Sequence, residues 1–131
     1  MKHWTKVEIV WLLMVTAASG AYAQGRGQGR GDQTPIVEAV GCLSQTGSDW
    51  ILVNATEAET VTTTFTTPDA LKAAAGKPLG TQTYRLLGVK PFSPEPHNGH
   101  MMVARGLLIK GSSDTRINVT SLQMLAATCA K

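Results

Sequence analysis

The chain is poor in the residue types on which several protein functions depend. Aromatics make up 5% of its 131 residues, and beyond residue 23 only Trp50, Phe65, Tyr84 and Phe92 remain. A stacking platform for single-stranded nucleic acid needs several such rings on one face. Charge of one sign is equally thin. Twelve Lys and Arg against nine Asp and Glu give a formal charge of +3, and setting aside residues 1–23, with Lys2, Lys6 and Glu8, leaves +2. That is too little for the footprint of a polyanion binder, so no nucleic-acid partner is expected. No apolar run reaches the ~20 residues that a membrane-spanning helix needs. The two cysteines lack C-x-x-C spacing, which argues against a redox-active role. There is no G-x-S-x-G elbow, Walker loop or dinucleotide fingerprint, and the spacing of Glu57, Glu59, Asp69 and Glu95 brings no two carboxylates together. The expectation is a protein that is not an enzyme and uses no cofactor.

What is present begins with an export signal. Lys2, His3 and Lys6 form a basic start, Ile9–Ala18 (IVWLLMVTAA) is apolar, and Ala21-Tyr22-Ala23 is a small-x-small cleavage pattern followed by Gln24. This order is the secretory signature, and the apolar run is about half the ~20 residues of a permanent anchor. Residues 1–23 therefore read as a removed signal peptide, which implies a periplasmic or extracellular destination without a stable membrane anchor. Residues 24–34 (QGRGQGRGDQT) alternate glycine with polar residues and read as a flexible tail. Its Arg-Gly repeats are too short for avid RNA binding, and Arg30-Gly31-Asp32 is a three-residue match of the kind that chance supplies. Residues 35–131 read as one domain with one modest core.

In an oxidising compartment an even pair of cysteines in a small domain reads as a disulfide, here Cys42 with Cys129. Chain-entropy models give such a loop roughly 4–5 kcal/mol. That is a large share of the ~5–15 kcal/mol by which domains are stable.

The domain is written in β segments. Ile36–Leu43 is a β-rich run with Gly41 inside it, and glycine there marks a bulge or corner. Ser44–Ser48 is a turn signal, and Trp50–Val53 a second strand. Glu59–Thr67 (ETVTTTFTT) suits a short exposed strand. Thr67 as N-cap, Pro68 at the first helical position and Gly76 at the C-terminal end predict a short helix. Thr83–Val89 is a third core strand. Residues 90–99 (KPFSPEPHNG), with three prolines, are a connection. His100–Lys110 is a fourth strand broken at Gly106, and Ile117–Cys129 holds the fifth strand and the tail. Five core strands, two of them bent by glycine, predict an all-β fold with one short helix, a small five-stranded closed barrel of OB type. Closure would bring the first and last strands together and with them Cys42 and Cys129.

The pattern Val40-Gly41-Cys42-Leu43, Trp50-Ile51-Leu52, Tyr84-Arg85-Leu86-Leu87-Gly88, His97-Asn98-Gly99-His100, Gly106 and Ile117-Asn118-Val119-Thr120-Ser121-Leu122 resembles small exported bacterial OB-fold-like proteins of uncharacterised function. The resemblance covers residues 36–129 and departs from the pattern in residues 55–79 and 90–96. It implies a fold and brings no activity with it.

Two constellations carry candidate chemistry. An OB barrel binds extended ligands across its second and third strands. There Trp50 and Tyr84 are candidate stacking surfaces and Arg85 and Lys90 charge partners, unless the two rings are core residues. His97 and His100 are the only histidines beyond residue 23, three apart in a Pro/Gly-rich loop, and Met101 and Met102 follow. Imidazole with thioether is a donor set for copper(I), imidazole alone for zinc. The leading expectation is an exported β-barrel module that binds a ligand or protein partner. The alternative is a metal-binding protein using the His97/His100 loop.

Overall fold

The computed structural model describes residues 34–129. The export signal of residues 1–23 and residues 24–33 of the tail lie outside the described residues. In chain order the elements are β1 (Ile36–Thr46), β2 (Asp49–Ala55), β3 (Glu59–Thr60), α1 (Pro68–Ala75), β4 (Gln82–Leu87), two 3-10 turns (Lys90–Phe92 and Glu95–His97), β5 (Met101–Lys110) and β6 (Thr115–Ala126). The fold is all-β with one short helix. Among the described residues no helix is long and apolar enough to cross a membrane.

The strands run in the order β2-β4-β6-β5-β1-β3, and a further β1–β2 pairing links the five long strands into a ring. All ring pairs are antiparallel except β4–β6, which is parallel. β1 serves two ring neighbours along its length, and β3 besides. Ile36–Cys42 pairs with β5, and Cys42–Thr46 pairs with β2. Gly41 stands at this change of partner. A Cβ there would lie 2.8 Å from Leu52 Cγ and 2.9 Å from Ala55 Cβ, so only glycine lets the strands close over the core.

Side-chain alternation divides β1 between two cores. Val37, Ala39 and Leu43 point into the main core with Trp50, Leu52, Tyr84, Leu86, Met102, Ala104, Ile117 and Val119. Val40 points the other way, into a second cluster with Val103 and Ala74, packed by Leu71, Leu79, Met101 and Leu125. Both faces of β1 are thus covered, and its residues from Val37 to Leu43 are buried without a break. The helix α1 makes the second cover. At eight residues it is too short to hold itself in water. It is held by Thr67 Oγ1, which accepts from the Ala70 N–H at 3.1 Å, by Pro68, and by burial of Ala74.

Gly106 sits at a register shift between β5 and β6. Arg105 faces Ser121 and Gly106 faces Val119, so Thr120 is the extra residue of a bulge. The bulge switches the phase of β6. Ile117 and Val119 face the main core before it, and Leu122 packs against that core after it.

Several expectations need correction. β1 continues to Thr46 and the turn to β2 is only Gly47-Ser48, with Gly47 at φ 62°. Residues 90–99 contain two 3-10 turns, which start where Pro91 and Pro96 preset φ. The strand expected over 59–67 is formed only at Glu59–Thr60, opposite Val37 and Glu38. The rest is an irregular strap because its polar groups bond to side chains. Thr63 takes up Arg105, Thr64 O accepts from Thr120 Oγ1, and Thr66 Oγ1 lies 3.1 Å from Ser121 Oγ.

Cys42 and Cys129 form a disulfide with Cα atoms 5.9 Å apart. It fits an oxidising environment. The expected reason for their meeting was wrong. β1 and β6 are not paired; β5 runs between them, with Met101 facing Cys42 on one side and Ala126 on the other. The residues after β6 pass the end of β5 to reach Cys42.

Candidate functional site

Alternation sends Ile51 of β2 and Thr83 and Arg85 of β4 to the outside of the ring, opposite the core residues Trp50, Leu52, Tyr84 and Leu86. Unlike the outer face of β1 and β5, this face has no strap or helix over it among the described residues. The turn between β5 and β6 rises beside it, and together they enclose an open cleft of about 490 Å³ lined by Ile51, Thr83, Arg85, Gly111, Ser113, Asp114 and Thr115.

The parallel β4–β6 register sets Arg85 beside Arg116, and two carboxylates hold them. Arg85 bonds Asp49 at 3.1 Å and approaches Asp114 at 3.8 Å. Arg116 Nε donates to both oxygens of Asp114 at 3.1 Å. The hydrogen bond from Arg116, reinforced by the charges of Arg116 and Arg85, holds the Asp114 carboxyl below its ordinary range. At neutral pH it is an acceptor with no proton to give. Asp49 also lines a second groove of about 440 Å³ with Trp50, Leu86, Val89, Lys90 and Glu95. The Asp49–Arg85 pair therefore stands between two adjoining clefts.

Of the expected ligand-face residues, Arg85 and Lys90 are at the surface and the two rings are not. Trp50 and Tyr84 are 7% and 4% exposed and belong to the main core, so neither ring is a stacking platform. Trp50 reaches the second groove only at its wall. The Tyr84 hydroxyl donates to Thr56 O at 3.1 Å, and burial, outweighing the neighbouring backbone hydrogen bond, pushes its ionisation above the ordinary value. Lys90 is exposed at the second groove.

The loop between the 3-10 turns and β5 brings His97 and His100 together, with Nδ1 atoms 3.1 Å apart and rings edge to face at 70°. The two methionines do not join them in the expected way. Met102 is 1% exposed inside the main core, and Met101 packs on the second cluster. Among the described residues no group of three His, Cys, Asp or Glu side chains gathers as a metal-ligand set.

Sequence reasoning missed the charged pair on the covered side. Glu38 and Arg105 face each other across β1 and β5, 5% and 6% exposed. Arg105 Nε donates to Glu38 Oε2 at 2.7 Å, and its third nitrogen donates to Thr63 Oγ1 at 2.6 Å and Thr63 O at 3.2 Å. Lys77 adds contacts to Glu38 at 3.5 Å and Glu59 at 3.0 Å. One signal was available. IVEAVGCL and MMVARGLL each hold a single charge, of opposite sign, within an apolar strand. Compared with known proteins, the chain matches no protein family, no curated protein and no solved structure.

Proposed function

We propose that this protein is an exported, non-catalytic OB-like barrel module that binds an extended polar ligand across the outer face of β2 and β4. The observation that carries the reading is the open cleft over those strands. β2 and β4 are the second and third of the five long strands, and the cleft's rim is the turn between the fourth and fifth, the region where OB barrels take ligands. The ring order and its one parallel pair support the barrel. The disulfide, with the basic-apolar-small order of residues 1–23, supports export.

The chemistry of the cleft suits binding. Arg85 offers planar donors, Thr83, Ser113 and Thr115 offer hydroxyls, and Ile51 offers an apolar floor. Near-neutral charge and the absence of an exposed aromatic row among the described residues favour a short oligosaccharide or peptide over a nucleic acid. The ionised Asp114, committed to Arg116 and Arg85, is a poor proton donor, which favours a binding role over acid catalysis.

The test is a panel of short oligosaccharides and peptides screened by ligand-detected NMR against the disulfide-bonded protein. At least one is expected to bind saturably and to lose affinity on Arg85→Ala. Hits that bind Arg85→Ala unchanged would remove the β2–β4 face from the proposal, and a panel without hits at millimolar ligand would remove the ligand class.

A further inference from the structure

Neither His97 nor His100 lines the cleft over β2 and β4, and the pair has a geometry of its own. Four backbone hydrogen bonds fix the loop that carries it. His97 N–H donates to Pro94 O at 2.9 Å and His100 N–H to His97 O at 2.9 Å. Gly99 N–H donates to Leu43 O at 2.7 Å, and Leu43 N–H returns to His100 O at 3.0 Å. The last two clamp the loop to β1, and Pro94 beneath it is fully buried. Gly99 takes φ 85°, the left-handed conformation that lets the chain turn between the two histidines. The imidazoles are therefore presented by a fixed backbone, with little ordering left to oppose binding.

We propose that His97 and His100 form a two-imidazole site for one divalent late first-row cation, zinc or copper(II), ligated through both Nδ1 atoms. Nitrogens 3.1 Å apart, each at the ~2.0–2.1 Å that imidazole keeps from zinc, subtend roughly 95–100° at a shared cation. That bite lies between the square-planar and tetrahedral angles that copper(II) and zinc prefer. The 70° between the ring planes suits two ligands on one cation and rules out stacking as the reason for their approach. Without metal, one Nδ1–H donates to the other Nδ1. Binding moves that proton to Nε2 of the same ring, so both rings ligate as neutral imidazoles and no charge is lost. With Met102 in the core and Met101 on the second cluster, the donor set is nitrogen, which disfavours copper(I). The remaining coordination positions are left to water or to a donor from a bound molecule.

Calorimetric titration of the tag-free, disulfide-bonded protein with zinc chloride, and separately with copper(II), tests the site. His3, the one other histidine, falls in the segment read as a removed signal peptide, and alanine replaces it in any preparation that retains that segment. One cation per chain is expected, with affinity lowered at least about tenfold in His97→Ala and in His100→Ala. Imidazole nitrogen resonances of the otherwise unaltered protein decide the matter if a variant fails to fold. Both Nδ1 signals are expected to move with added zinc. Absence of saturable binding of either cation at 100 µM or so, binding retained in both variants, or Nδ1 signals that stay in place would each overturn the site.

Discussion

The two sides of the strand ring are built from similar material and treated oppositely. On the β1–β5 side, a charge on each strand is buried under the strap of residues 61–67, and α1 closes a second apolar cluster. On the β2–β4 side, the charges of Arg85, Arg116, Asp49 and Asp114 are also paired, but among the described residues no strap or helix lies over them. The covered pair is 8% and 6% exposed in its side chains, and the open Arg85–Asp49 pair 40% and 48%. The same chemistry thus has different consequences. A buried pair punishes loss of one partner, because the other is left charged and dry. A solvated pair exchanges its partner for water at little cost and remains available to a ligand.

Substitutions on the two sides should therefore separate stability from binding. The largest effect is expected for Arg105→Ala, which leaves Glu38 buried without its main partner and frees Thr63. Denaturant unfolding should show a loss of about 3–5 kcal/mol. A loss below about 1 kcal/mol would erase the distinction between the sides. Cys129→Ser comes next, with about 2–5 kcal/mol lost on opening a link of sequence separation 87. Before substitution, the folded protein should present no reactive thiol to a thiol reagent. Thr67→Ala removes the cap of α1 and should cost about 1 kcal/mol, felt as faster exchange of the helix amides with the ring strands unaffected.

The smallest stability effects belong to the open side. Arg85→Ala should change unfolding by about 1 kcal/mol or less, while lowering ligand affinity. The contribution of Asp114 follows its lowered ionisation. It is present at neutral pH and is lost as acid carries the pH down through the folded value, which lies under the ordinary carboxyl range. Asp114→Asn should remove that acid sensitivity, and added salt should mute it, since the carboxyl is only half-buried.

The elements whose signals are local were legible in the sequence. Thr67-Pro68 with Gly76 marked the helix, Gly41 and Gly106 marked the bends, and the cysteines marked their own bond. The strap was not legible, because ETVTTTFTT has β propensity and only long-range partners, Arg105, Thr120 and Ser121, take its polar groups away from a ladder. The route by which Cys129 reaches Cys42 was hidden for a similar reason, since strand order is a property of pairing. At the candidate site, Arg85 was named in the sequence only as a charge partner of Trp50 and Tyr84, and strand alternation puts it on the face opposite both rings. Trp50 and Tyr84 fell to the core because a chain with four aromatics beyond residue 23 spends its rings on packing. Asp114 and Arg116 were missed because only the β5–β6 turn and the parallel β4–β6 register bring them to Arg85.

The claim that the uncovered face is the binding face is tested most directly by mapping amide chemical shifts of nitrogen-15-labelled protein as the best ligand from the oligosaccharide and peptide panel is added. Saturable shifts should concentrate on Asp49, Ile51, Thr83, Arg85 and the 111–116 segment, and leave α1 and the strap unmoved. Shifts centred on α1, the strap or the β1–β5 side would contradict the account.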